Sequence, residues 1–263
     1  MNTAKAWHHV DQGSGRPLVL LHGIGMSHAA WKPVLAMLAE ERRVLAFDVA
    51  GFGLTPPLPA GTVPNQVNLI AALFDTLRQL GIDGPVDIAG NSMGGMLALE
   101  AARQGLARSV VALSPGGLWH GETPPRLKLI FALLRWNLRT FPRLSLALMR
   151  IKPLRTLLMA VPMSSRCGRM TVEEAVGAAQ TFGAATAFDE TFNSLVPVSG
   201  CAGIDVPVTV AFGTRDWLLT RGACQQRDEL PAHTRWLRPK GWGHVPMWDD
   251  PPEVARLILE GTA

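Results

Sequence analysis

Three separated stretches of the 263-residue chain carry residue types that could perform nucleophilic chemistry together. The first is DIAGNSMGGM, Asp87 to Met96, where Ser92 lies between Gly90 and Gly94 at the change from an apolar strand-like run to a helix-like one. A sharp strand-to-helix turn exposes a serine hydroxyl in a strained backbone conformation, and bulky side chains two positions away on either side would collide. The start of the helix also aims backbone N–H groups at whatever charge develops beside the serine. Taken alone the pattern also fits a glycine-rich turn with a capping serine, because a hydroxyl without a base is inert.

The second stretch, GWGHVPMWDDP, offers the base. Among seven histidines, only His244 stands at a late strand end after Ser92. His8 and His9 fall in the N-terminal arm, His28 opens a helix, His120 begins a middle block and His233 precedes a strand. His22 immediately precedes a glycine turn and suits bracing that loop. The third stretch, AFGTRDW, places Asp216 three residues after Gly213 at the end of the preceding strand, where a carboxylate can orient the imidazole. The other candidate position, after VVAL, is Ser114. Asp249 and Asp250 beside Pro251 are explained by capping of the last helix, and Asp48 by pinning its own turn. The catalytic order is therefore Ser92, Asp216, His244. Charge on a tetrahedral intermediate needs backbone donors, for which Met93 and, from the HGIG loop, Ile24 are the candidates. Gly23 and Gly25 superficially resemble a dinucleotide fingerprint, but His28 stands where its third glycine belongs, so close helix-to-strand packing fails.

The elements that must position these residues alternate. PLVLLHG, RVLAFD, PVDIAG and VVALSP are apolar strands separated by helix-like segments, and VPVTVAFG, TRWLRP and PPEVARLILEG continue the rhythm after an interruption. Apolar strands bounded by glycine and separated by helices predict a parallel sheet covered on both faces. From Gly117 to Gly200 every pattern is helical, which predicts an inserted lid. The expected organisation is core over 1–116, helical lid over 117–200, and core again over 201–263.

Composition narrows the classes. Apolar residues make up 48% and charged residues 17%, so the chain folds around a sizeable core. No signal-peptide core and no uninterrupted apolar run of about 18 residues is present, so stable membrane insertion is not expected. Three widely spaced cysteines without a C-x-x-C pair fit reduced thiols in a cytoplasmic protein. The net charge of +4 is uneven: Thr123 to Met170 holds ten Lys or Arg and no Asp or Glu, leaving 15 basic against 21 acidic side chains elsewhere. Amphipathic helices with a solvated basic face explain this, as would a surface drawing anionic substrates or touching acidic lipid. Nucleic acid is not expected, since no nucleic-acid motif accompanies the helical spacing.

As a set, HGIG, DVAGFGLT, GNSMGG, GTRD and GWGH resemble the α/β-hydrolase family and occur in that family's order. The resemblance spans Leu18 to Ser114 and Val206 to Leu259, with the insertion where the family carries its lid. It implies an α/β-hydrolase fold with a mostly parallel sheet of about eight strands, helices on both faces, no obligatory cofactor or metal, and hydrolysis through an acyl-enzyme. Before Pro17 there is room for little more than one strand, around Trp7 to Val10. Serine in place of aspartate argues against haloalkane dehalogenases and epoxide hydrolases. GNSMGG is similar to the elbow of carbon-carbon hydrolases acting on aromatic ring-cleavage products and also occurs in plain esterases. The former usually have an aromatic residue after the catalytic histidine, where this chain has Val245. Hydrolysis of a small to medium carboxylic ester ranks first, carbon-carbon hydrolysis second, with lactone or thioester hydrolysis open. The partner expected is a small-molecule ester, anionic or apolar, and the lid residues Trp119, His120, Trp136 and Phe188 are candidates to touch it.

Overall fold

The apolar runs between glycine turns do become strands, because a segment buried on both faces has to satisfy its backbone by pairing. The computed structural model describes residues 6–263. Its strands are β1 (His9–Gln12), β2 (Pro17–Leu21), β3 (Arg43–Phe47), β4 (Val86–Asn91), β5 (Ala107–Leu113), β6 (Val208–Ala211) and β7 (Arg235–Leu237). They form one sheet in the order β1-β3-β2-β4-β5-β6-β7. Every pair is parallel except β1 with β3, where His9 opposes Phe47 and Gln12 opposes Val44. The sheet thus has seven strands among the described residues, against the eight implied by resemblance. A single short strand fits before Pro17, and it forms as an antiparallel edge slightly later than Trp7 to Val10, while Trp7 itself is buried.

Side-chain alternation sorts the sheet into two cores. Val19, Leu21, Leu45, Ile88 and Val110 face one layer with α2 (Gln66–Gln79) and α3 (Met93–Arg103). Leu18, Leu20, Val44, Ala89 and Val111 face the other, with α1 (Lys32–Ala39) and α10 (Pro251–Gly261). Because consecutive residues go to opposite faces, a slip of one residue would invert every one of these assignments. Burying the nine Val, Leu and Ile side chains among these completely contributes roughly 1.5–3 kcal/mol each, an upper estimate that conformational entropy largely offsets.

Between β5 and β6 the chain is helical: α4 (Pro125–Thr140), α5 (Pro142–Arg150), α6 (Lys152–Met159), α7 (Val172–Ala184) and α8 (Phe188–Ser194), with the short α9 (Arg221–Cys224) following β6. Proline at the first turn starts α4, α5 and α6, where its missing N–H costs no bond. A capping box of Thr171 and Glu174 starts α7. Among the described residues no helix is long and apolar enough to cross a membrane.

Candidate active site

Ser92 lies between β4 and α3 with φ 55° and ψ −116°, one of two non-glycine residues with positive φ among those described. Such a conformation costs about 1–3 kcal/mol and persists only where its surroundings over-determine it. Here the Ser92 N–H donates to the Leu113 carbonyl at 3.0 Å, and its own carbonyl accepts from Gly116 N at 3.0 Å and Met96 N at 3.1 Å. The flanking glycines follow from close packing. A Cβ on Gly90 would overlap the Gly94 backbone, and one on Gly94 would overlap the Leu21 carbonyl.

Asp216 follows β6 and His244 follows β7, so parallel pairing of these two strands delivers both loops to one sheet end. The loops are laced together by the Arg215 N–H, which donates to the Trp242 carbonyl at 2.8 Å. His244 Nδ1 and Asp216 Oδ2 are 3.1 Å apart, both side chains almost wholly buried. The other Asp216 oxygen accepts from Leu218 N at 3.0 Å and Leu219 N at 2.8 Å, which fixes the carboxylate's direction. Ser114, at the alternative acid position, also has a positive φ, 45°, and a buried hydroxyl without a partner among the described residues.

Ser92, His244 and Ile24 all line one cavity of about 600 Å³. Its remaining wall is chiefly apolar and comes from the helices after β5, including Phe131, Leu138, Met149, Met159 and Phe182. A second space of about 40 Å³ adjoins Ser92, Ile24, Met93 and Trp119. Met93 opens α3, and the first N–H groups of a helix have no partner within it. Ile24 lies in the loop after β2, which His22 braces. The buried His22 ring donates from Nδ1 to the Gly23 carbonyl at 2.8 Å and accepts at Nε2 from Val49 N at 3.0 Å. Burial holds this imidazole neutral, its pKa lowered to about 4.

The candidates from residues 117–200 separate. Trp119 borders the small space beside Ser92. Trp136 is exposed and stacks edge-on against Phe141, and His120 is exposed near Asp228, so neither is part of the cavity wall. Phe188 is buried one layer behind it, touching Phe131 and Phe182, with the Arg135 guanidinium 4.3 Å from its ring centre. Hydrophobic packing thus takes Phe188 away from any ligand, and Phe131 and Phe182, which helical spacing did not distinguish from core, line the space instead.

Two further residues were not expected from the sequence to shape the site. Asn91 is fully buried and its amide donates to the Leu113 carbonyl at 3.0 Å and the His244 carbonyl at 2.8 Å, tying the histidine loop to the elbow. Its position directly before Ser92 was the available signal. Asp249 does not cap α10, whose N-cap Asp250 makes no side-chain capping bond either. Its Oδ1 accepts from Ser164 Oγ at 2.7 Å, Ser165 Oγ at 2.9 Å and Arg166 N at 2.9 Å, and its Oδ2 from Gly243 N at 2.6 Å. The carboxylate therefore braces the loop of His244 against the segment after α6. Asp48 does pin its turn through Leu54 N at 2.9 Å, and also accepts from His28 and His8. Burial opposes its ionisation most strongly, yet the hydrogen bonds from His28 and Leu54 prevail and hold the carboxyl well below the usual range. His8, His28 and Asp48 form the one trio of potential metal ligands found among the described residues. Their 2.9 and 3.0 Å N···O separations are those of hydrogen bonds already made.

Comparison with known proteins identifies the family of the chain. The chain is 34% identical over 117 residues to a 2-hydroxy-6-oxo-6-(2'-aminophenyl)hexa-2,4-dienoic acid hydrolase of Metapseudomonas resinovorans, covering 42% of this chain and 39% of that protein. It is 35% identical over 101 residues to a pimeloyl-[acyl-carrier protein] methyl ester esterase of Legionella pneumophila, covering 38% of each. The matched region thus spans about two fifths of the length of these curated relatives. The structure of a meta-cleavage product hydrolase from Pseudomonas fluorescens IP01 superposes with a TM-score of 0.71 at 19% identity, over 96% of this chain and 92% of that one, a likeness of fold. Residues 18–257 match the family described as "Alpha/beta hydrolase family", and with its sheet, elbow and strand-end loops the chain belongs to that family.

Proposed function

We propose that the protein is a serine hydrolase that cleaves a carboxylic ester with an apolar, medium-length acyl group through an acyl-enzyme. The observation that carries the reading is a shared wall: Ser92, His244 and Ile24 line one apolar cavity while His244 is bonded to Asp216 behind it. In this reading the Asp216 carboxylate holds Nδ1–H of His244, leaving Nε2 to take the Ser92 proton as Oγ attacks the ester carbonyl. The N–H groups of Met93 and Ile24 hold the oxyanion. His244 then protonates the leaving alcohol, and water repeats the sequence on the acyl-enzyme. The helices over 117–200 act as the lid, since α4 to α7 supply most of the cavity wall.

Among relatives that act on dienoic acids and on methyl esters, the lining favours the ester. Lys32 is the one cation in the cavity wall among the described residues, it lies 3.7 Å from Glu174, and Glu173 and Glu174 share that wall. A substrate carboxylate held there would lack a buried cationic partner. The three cysteines are free and buried, with thiols pushed up to about 11 by burial, and the cytoplasmic setting of this reading rests on their wide spacing in the sequence.

A panel of p-nitrophenyl esters of increasing acyl length, run beside a ring-cleavage dienoate, tests the reading. Ester turnover with a medium-chain optimum is expected, and loss of on the order of 10⁴-fold or more in kcat for Ser92→Ala. Turnover of the dienoate alone would instead assign carbon-carbon hydrolysis. A Ser92→Ala protein with near-normal kcat would overturn the mechanism.

A further inference from the structure

The helices α5 and α6 bury Met149 and Met159 beside the polar Ser145 and Arg155, and they leave Leu144, Ile151 and Leu157 exposed, the last 72% accessible. Most of the buried polar atoms find local partners: Ser145 Oγ donates to Asn137 Oδ1 at 2.6 Å, and Arg155 donates from its two terminal nitrogens to the Met149 and Met170 carbonyls at 2.9 and 3.1 Å, leaving Nε unpartnered among the described residues. No such compensation exists for the exposed apolar side chains, which Phe141 and Trp136 extend onto α4, their rings 5.6 Å apart. Exposed apolar side chains grouped on neighbouring helices mark a place of contact.

Charge identifies the contact. Arg143, Arg150 and Lys152 are exposed between these apolar residues and make no ion pair among the described residues, and no Asp or Glu occurs from 123 to 170. Apolar side chains interleaved with unpaired cations are the arrangement by which a helix lies in the plane of an anionic bilayer, the cations at the headgroups and the apolar residues below them. The same surface leads to the site. Leu133 of α4 and Leu158 of α6 are both exposed and both line the large cavity, so its opening lies among these helices.

We propose that the α4–α6 face docks on an anionic membrane surface, and that the substrate is a lipid-derived ester that passes from the bilayer between Leu133 and Leu158 to Ser92. The docking stands on the surface alone, whereas the route to Ser92 rests on the hydrolase reading above.

Sedimentation of the full chain with phosphatidylcholine vesicles, with and without phosphatidylglycerol, separates the two. Binding that requires phosphatidylglycerol and weakens with salt is expected. The R143E/R150E/K152E variant should bind at least about a hundredfold more weakly, since each of the three cations at the surface accounts for about a fivefold effect. L144S/L157S should lose binding by a similar factor, and both variants should keep full turnover of a short soluble ester, which shows that they fold. Equal binding to both vesicle types, no binding, or variants that bind like the parent would overturn the docking. Self-association that L144S/L157S abolishes, without vesicle binding, would assign the face to a second copy and equally overturn it. If vesicles bind but no ester is cleaved in any form, the hydrolase reading fails and the docking stands. If soluble esters are cleaved but long-chain esters presented in anionic vesicles gain nothing over the same esters in neutral ones, the route from the bilayer fails.

Discussion

Replacing Asp249 with asparagine is nearly isosteric, so its consequences isolate the hydrogen bonds rather than the packing. The fully buried carboxylate accepts four bonds, three at Oδ1 and one at Oδ2. An asparagine amide best keeps its oxygen toward Ser164, Ser165 and Arg166, which turns its NH₂ toward the Gly243 N–H, donor against donor. One charge-assisted bond, worth about 1.5–3 kcal/mol, is lost, and the other three fall toward neutral strength. The expected destabilisation is about 3–5 kcal/mol, and at about 2–4 °C per kcal/mol for a chain of this size Tm falls by roughly 10 °C. Gly243 directly precedes His244, so the same change loosens the proposed base. A misplacement near 1 Å costs about 100-fold in rate, so kcat is expected to drop by about that factor with KM changed much less. Urea unfolding and steady-state turnover of a p-nitrophenyl ester measure both, with Asp250→Asn as a control expected to lie within about 0.5 kcal/mol of the parent, as for an ordinary surface change. If Asp249→Asn stays within about 1 kcal/mol of the parent and keeps its kcat, the bracing role is refuted.

Two other predictions use different parts of the fold. His22 takes up a proton at pH about 6.5 when unfolded but resists it to about 4 when folded. It therefore contributes full stability above the unfolded value, which is lost as pH falls from 6.5 toward 4 and amounts to about 2 kcal/mol between pH 7 and pH 5. His22→Asn should flatten the acid limb of the stability profile by that amount, and an unchanged slope would show that the ring is not held neutral. Gly177, within α7, lines the cavity, and a Cβ there meets nothing within 4 Å. Gly177→Ala should stabilise by about 1 kcal/mol through helix propensity, whereas Gly177→Phe should shift the acyl optimum to shorter esters. An optimum that does not move would place the acyl group elsewhere.

How much was legible follows from the range of each interaction. The strands could be read because each is a short apolar run ended by glycine, and the elbow because Gly90 and Gly94 answer to steric collisions within a few residues or with the adjacent strand. The pairing of Asp216 with His244 could be anticipated because parallel strands send their following loops to one end of the sheet. Only the tertiary structure decided what long-range packing controls. Asp249, next to Pro251, carries the local mark of a cap, yet bonds to residues 164–166, more than eighty positions away, because the histidine loop closes against the segment after α6. Phe131, Phe182 and Phe188 share helical spacing and composition, and only the packing of α4, α7 and α8 sends two of them to the cavity and one behind it. A sequence states which side chains are apolar or charged. Which of them meet each other and which are left facing solvent depends on how the helices pack, and that separates a cavity wall from a core and a buried stripe from an exposed one.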